Sequence, residues 1–232
     1  AEGVARPVGE LPAHWYAQGT NGMVYLQAVL DLPALEPEEL DLLPLFCACL
    51  SEVGSAGRDY RTTQARQAAV TGGLSGRASV RGGVDDVNRV QGVLVLAGKA
   101  LARNHAALAE LLWETLISPR FDELPRLREL IAQIRAQREE GVTDHGHMLA
   151  LAAACSSLSP VAALNHRWDG LQGLRNLKAL DDALLYVNKY ANSAGDYGEN
   201  PIGKPQNAAF KTADVFVTSG GMYTEKLAAD DL

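Results

Sequence analysis

The stretch from Thr20 to Arg81 constrains the fold more than any other part of the chain. It opens with TNGMVYLQAVLDL, in which apolar and β-branched residues fill Met23 to Leu32 between Asn21-Gly22 and Pro33. That composition predicts a strand. Apolar residues fall on both of its faces, which places it inside a sheet and not at an edge. The next segment changes period. Leu35-Glu36-Pro37-Glu38-Glu39 puts a proline and three glutamates at a helix start. There the missing backbone donor costs nothing, and negative charge meets the positive end of the helix. The helix is expected to continue to Leu50, to kink or break at Pro44, and to stop near Gly54. Asp59 or Thr62 caps a second helix that reaches about Val70. Gly72-Gly73 turns the chain into the strand LSGRASVRG. Gly82-Gly83 with Asp85-Asp86 turns it again into VQGVLVLAGKAL, so the two strands predict an antiparallel hairpin.

After Asn104 the period becomes 3.6. Leu108, Leu111, Leu112, Thr115 and Leu116 share one helical face. Leu124 to Glu140 predicts another helix, with Leu127, Leu130, Ile131 and Ile134 as its apolar stripe and Gly141 as its end. Met148 to Leu158 is Ala-rich and is expected to be buried. Pro160 to Leu184 gives one or two further helices. Residues 1–19 carry Gly and Pro without a period and read as the end of a linker. Residues 20–184 read as the folded domain. From 185 to 232 the composition turns polar, with one strand candidate in Ala213 to Ser219.

The chain has 232 residues of which 47% are hydrophobic, enough for one sizeable core. Its net charge of -7 gives nucleic acid no electrostatic foothold, so no nucleic-acid partner is expected, and a basic peptide would be attracted. Three sparse cysteines, Cys47, Cys49 and Cys155, do not make a disulfide framework and fit a reducing compartment. No apolar run is long enough to span a bilayer, and no membrane partner is expected. The N-terminal AEGVARPVGE has neither an initiator Met nor an apolar signal core, an end expected of a piece of something longer.

Residues with reactive side chains are scattered. Cys47 and Cys49 lie two apart on a helix and point about 200° from each other, so they cannot chelate one metal together and read as small buried hydrophobes. Asp144, His145 and His147 are the only clustered metal-type ligands. With Gly146 beside them they read as a helix N-terminus capped by Thr143 or Asp144, and a small metal protein built on them is the weaker reading. His14, His105 and His166 are isolated. TGGLSG precedes a strand and not a helix, which removes the phosphate-cradling geometry. Ser51, Ser55 and Ser75 lack a nucleophile elbow. Glu110 and Glu114, one turn apart, read as surface carboxylates. No catalytic, cofactor-binding or metal-binding residue is assigned.

Several ordered segments carry a family resemblance. TNGMVYLQAVLDL, LPLFCACLSEVGSAGRDY, VTGGLSGRASVR, LVLAGKALARNHAALAELLWETLISPRFD, GHMLALAAACSSLSP and GLQGLRNLKAL resemble the presequence-protease branch of the pitrilysin/insulinase-type metallopeptidases. The resemblance covers roughly Trp15 to Leu180. It implies an α+β fold like a mitochondrial-processing-peptidase unit: a mostly antiparallel sheet with helices packed on one face. Such enzymes have four homologous units in two halves, which close around a chamber that takes unfolded peptides. This stretch is most similar to the third unit, in the non-catalytic C-terminal half.

The family's catalytic unit binds zinc through His-x-x-Glu-His on one helix. Counting back from Gly54-Ser55, which resembles the Gly-Thr that follows that motif, the corresponding positions here are Leu45, Ala48 and Cys49. Leu45 is no ligand and Ala48 is no base, and one thiol does not make a site. The resemblance therefore implies a structural unit with no cofactor of its own. Zinc is expected in an N-terminal catalytic half, the expected partner alongside peptide substrates, in a bacterial cytoplasm or an organelle matrix. An alternative from a different class is a stand-alone, catalytically inactive scaffold subunit that pairs with an active peptidase. The tail from about Leu185 does not match the family's usual continuation.

Overall fold

The computed structural model describes residues 3–194 and 213–218. Two short strands come first, β1 (Val4–Ala5) and β2 (Ala13–Tyr16). Residues 1–19 carry no hydrophobic period, yet both strands enter the main sheet. Asn21 and Gly22 take positive φ values of 52° and 76°, and the Met23 N–H donates to Thr20 O at 3.1 Å. This is a type I′ turn, and it leads into β3 (Met23–Asp31).

Helix α1 (Pro37–Leu50) starts as expected, with Pro37 in its first turn and the Glu36 N–H donating to Glu39 Oε2 at 3.0 Å. It does not break at Pro44 but runs unbroken through it. Proline leaves the carbonyl four residues back, that of Leu40, without its helical donor. The indole Nε1–H of Trp168 donates to that oxygen at 2.8 Å. The helix ends on Ser51, before the expected Gly54. Gly54 instead begins β4 (Gly54–Ser55), where a Cβ would run into Arg58 O and Glu123 Oε2.

Helix α2 (Tyr60–Val70) is capped by Asp59, which accepts from the Thr62 N–H at 2.8 Å. Hydrogen bonding from the Thr62 side chain, together with that N–H, holds the Asp59 carboxyl below its usual range. Next come β5 (Leu74–Gly82) and β6 (Val90–Leu101), which form the antiparallel hairpin that their turn residues imply. Helix α3 (His105–Ile117) is followed by β7 (Pro119–Arg120), which pairs with β4. Helix α4 (Leu124–Asp144) passes Gly141 and ends three residues later than expected. Helices α5 (Gly146–Cys155), α6 (Pro160–Asp169) and α7 (Leu171–Ala194) follow. The strand candidate in the tail is β8 (Ala213–Thr218). The rest of that tail, residues 195–212 and 219–232, lies outside the described residues.

The sheet order is β1-β2-β8-β3-β6-β5. Every described pairing in it is antiparallel except β2 with β8. β3 lies between β8 and β6, internal as its two-sided apolar pattern implies. β8 stands between β2 and β3, so the β1–β2 hairpin reaches the rest of the sheet through it.

Alternation along the strands sorts the two faces. Val24, Leu26, Leu96 and Ala100 turn one way and pack against Leu50 of α1 and Leu108 and Leu112 of α3. Leu30 and Leu94 meet Leu43 and Cys47 of α1 with Leu164 and Trp168 of α6. The alternate residues, Tyr25, Gln27, Val29, Val95, Ala97, Lys99, Arg77 and Arg81 among them, turn to the opposite face. The fold is thus α+β, with its helices on one side of a mostly antiparallel sheet. A second helical layer covers α1: Cys49 and Val53 pack on Leu127 and Leu130 of α4. Arg135 of α4 donates at 2.8 Å to Asp181 of α7, whose carboxylate is buried.

Candidate functional site

Helix α1 carries Leu45, Ala48 and Cys49, the positions that the resemblance sets against the zinc motif, and presents them at a seam between helices. Leu45 and Cys49, one turn apart, both face α4, where Val53, Leu124, Leu127, Leu130 and Ile134 complete one apolar cluster. Ala48 is exposed and lines a small cavity of about 80 Å³ with Asp41, Pro44, Leu45, Arg138, Arg167 and Trp168. The two helical thiols diverge as their spacing requires: Cys47 enters the cluster around Leu30 and Leu94, and Cys49 the seam against α4.

The electrostatics of the seam oppose metal binding. A ligating cysteine must lose its proton. Burial, reinforced by the Glu52 carboxylate, pushes the Cys49 thiol up to about 11 against the pull of Arg126. Burial pushes Cys47 up to about 12. Arg126 is itself held by Glu52 at 3.1 Å and Glu129 at 2.8 Å, with its guanidinium 4.6 Å from the centre of the Tyr60 ring. A fixed guanidinium therefore stands beside the one thiol of the motif, where a dication would be repelled. Leu45, Ala48 and Cys49 do not fit a zinc ion.

Asp144, His145 and His147 do not converge either. Asp144 is the last residue of α4, His145 separates α4 from α5, and His147 lies in the first turn of α5, all exposed. Thr143 and Asp144 are inside α4 and do not cap α5, contrary to the reading from sequence. His145 holds the N-cap position without a side-chain bond. Among the described residues, no group of three or more His, Cys, Asp or Glu is placed to hold a metal.

The strongest polar constellation is one that the sequence reading passed over. Glu114 is more than a surface carboxylate. It binds Arg66 of α2 at 2.9 Å and the guanidinium of Arg58, with only 15% of its side chain exposed. Glu110, 58% exposed, takes the other Arg66 nitrogen at 2.6 Å. The signal available was the one-turn spacing of the two glutamates, but their partners lie 44 to 56 residues away in sequence. Beside them, Glu123 accepts from the Gly54 N–H at 2.8 Å and the Tyr60 N–H at 3.1 Å. It closes the loop between α1 and α2 onto the start of α4. This arrangement fastens helices together and holds no nucleophile, paired general base or electrophile.

A family model described as peptidase M16 (subfamily C) associated matches residues 2–180. The chain belongs to this family. Within it, this peptidase-associated domain is 33% identical over 173 residues to the mitochondrial presequence protease of Danio rerio, covering 74% of this chain and 17% of that protein. It is 29% identical over 167 residues to presequence protease 1, chloroplastic/mitochondrial, of Arabidopsis thaliana, covering 70% of this chain and 15% of that protein. The peptidase-associated domain thus spans only about a sixth of the length of these relatives. Among solved structures it shares its fold with a conserved protein from Enterococcus faecalis V583, with TM-score 0.60, 14% identity, and coverage of 99% of this chain and 51% of that one. It also shares the fold of a peptidase M16 inactive domain from Pseudomonas fluorescens, with TM-score 0.52, 16% identity, and coverage of 98% and 49%. The peptidase-associated domain is a presequence-protease-like unit.

Proposed function

We propose that this domain walls the peptide chamber of a longer zinc-dependent peptidase and contributes no catalytic group to it. The N-terminal half of the same protein supplies the zinc and the groups that activate water. The sheet of this domain presents the face that its described helices leave uncovered to unfolded peptides held inside. The observation that carries the reading is the one-sided sheet. Helices cover the face bearing Leu30, Leu94 and Leu96, while the described helices leave Tyr25, Gln27, Val29 and Lys99 on the other. An apolar α1–α4 seam at Leu45 and Cys49 supports the non-catalytic part of the reading.

The charge of the face that the described helices leave uncovered differs from that of the whole chain. Arg77, Arg81 and Lys99 are exposed there alongside Asp31, so the net charge of -7 is not expressed on this surface. Charge on this face therefore gives basic peptides no preference. The names of the relatives place those proteins in mitochondria or chloroplasts, and an organelle matrix or a bacterial cytoplasm suits the proposed activity. No described helix is long and apolar enough to cross a membrane.

The test compares this chain, the zinc-bearing half, and the two joined, using a quenched fluorescent peptide and elemental analysis. The expected result is no zinc and no cleavage from this chain alone, and chelator-sensitive cleavage only when both parts are present. Chelator-sensitive cleavage by this chain alone, or undiminished cleavage by the zinc-bearing half without it, would overturn the proposal. A stable complex with a separate active subunit, formed without covalent continuity, would instead favour a scaffold subunit.

A further inference from the structure

From residue 145 to residue 166 the chain carries no Asp, Glu, Lys or Arg. A stretch of this kind belongs in a core, and burial is what its sequence predicts. In the structure α5, within that stretch, has no buried residue. Met148 is 54% exposed, Leu151 55%, and Leu158, in the turn that follows, 72%. Positions 148, 151 and 155 follow one helical stripe, and Leu158 extends the apolar surface past the end of α5. Ala154 and, further round the same flank, Ala150 are exposed next to Leu151 and leave room for a close neighbour. Large side chains flanked by alanines, with no charge among them, describe half of a helix–helix contact.

We propose that this face of α5 is the docking surface for an apolar helix from the rest of the parent polypeptide, outside these 232 residues. The proposal rests on the reading of the chain as one unit of a longer peptidase. Two observations favour that occupant. The chain covers 17% of the Danio rerio relative and about half of each solved structure that shares its fold, so most of a protein of that kind remains to cover the face. The stripe also lacks the Lys and Arg residues with which an interfacial helix grips a lipid surface. The partner helix is accordingly uncharged along its contact, with branched aliphatic side chains opposite the alanines.

Hydroxyl-radical footprinting of Met148 and Leu151, in the parent polypeptide and in the 232-residue chain, tests this. In the 232-residue chain Met148 oxidises freely, at a rate independent of chain concentration. In the parent its oxidation falls by roughly tenfold, as for a methionine withdrawn from solvent. Leu151→Asp, at an exposed position, leaves the melting temperature of the 232-residue chain unchanged and abolishes the protection of Met148 in the parent. Equal oxidation in the two proteins overturns the proposal. So does protection in the 232-residue chain, whether it rises with concentration (a second copy) or does not (the chain's own residues). Protection that appears only with phosphatidylcholine–phosphatidylglycerol vesicles overturns it as well. Cleavage of peptide by a parent whose Met148 is unprotected would remove this surface and leave the peptidase reading standing. Protection in a parent that shows no chelator-sensitive cleavage would do the reverse.

Discussion

Trp168 of α6 supplies the hydrogen-bond donor that Pro44 withholds from its own helix. Its indole Nε1–H lies 2.8 Å from Leu40 O, the carbonyl that a residue-44 amide would otherwise meet. Trp168 is 6% exposed, so water does not replace it. The pairing explains how α1 carries a proline without breaking, and it ties α6 to α1 above the sheet.

Trp168→Phe is therefore expected to destabilise the chain by about 1–3 kcal/mol, because a buried carbonyl loses its partner. In a Pro44→Ala background the same change should cost less, since residue 44 then brings its own N–H. Urea denaturation of the four proteins gives the coupling energy, expected at about 0.5–2 kcal/mol. Simple additivity would refute the pairing.

Glu114→Gln should cost about 1–3 kcal/mol, because Arg58 and Arg66 lose a largely buried counter-charge. Glu110→Gln, at the exposed end of the same cluster, should stay within about 0.5 kcal/mol of the parent sequence. Thermal melts at matched ionic strength separate the two, and equal effects would show that the cluster is not graded by burial.

The thiols predict a pH dependence. Burial raises Cys47 to about 12 and Cys49 to about 11 from an ordinary 9.0. The unfolded chain therefore gives up these protons first. The stability held by the two neutral thiols is complete below pH 9 and is lost as pH climbs toward 11 to 12. At pH 10 the loss is on the order of 1 kcal/mol per thiol. Cys47→Ala with Cys49→Ala should flatten that limb of the stability curve. In the native chain a thiol reagent should modify the partly exposed Cys155 first, and reach the other two only on unfolding.

Ending the chain at residue 194 removes β8, the strand that stands between the β1–β2 hairpin and β3 in the sheet, and leaves Trp15 on the core around Val24 as the described contact. Amide exchange over Ala13–Tyr16 should then accelerate toward that of a frayed terminus, while β5 and β6 keep their protection. Unchanged protection at Ala13–Tyr16 would mean that the hairpin is held by something other than β8.

The parts legible in sequence are those whose partners are near in the chain or whose pattern is long. β3, the β5–β6 hairpin, and the acidic start of α1 all follow from local composition. β1 and β2 left no local trace, because they are short and their main partner is β8, as the pairing of Ala13 with Val215 shows. Gly141 has the look of a helix end, yet its cost within α4 is small enough to be outweighed by the α4–α7 contact at Arg135 and Asp181. Hydropathy identified 148–158 as a segment that seeks burial, but it carries no information on whether the covering surface belongs to the same domain. That Leu45 cannot ligate zinc and Ala48 cannot act as a base is side-chain chemistry, readable without the fold. The guanidinium of Arg126 beside Cys49 is not, since it arrives from α4.

The pairing of Ala13 with Val215 also sets an order of events during synthesis. The β1–β2 hairpin emerges from the ribosome early, and its neighbour in the sheet is made some 200 residues later, which at ordinary elongation rates is a delay of roughly 10–40 s. Through that interval one edge of β3 has no strand to bond. A chaperone that shields open β edges, or slow passage through the codons of the tail, should therefore change the yield of this domain more than any substitution on its surface.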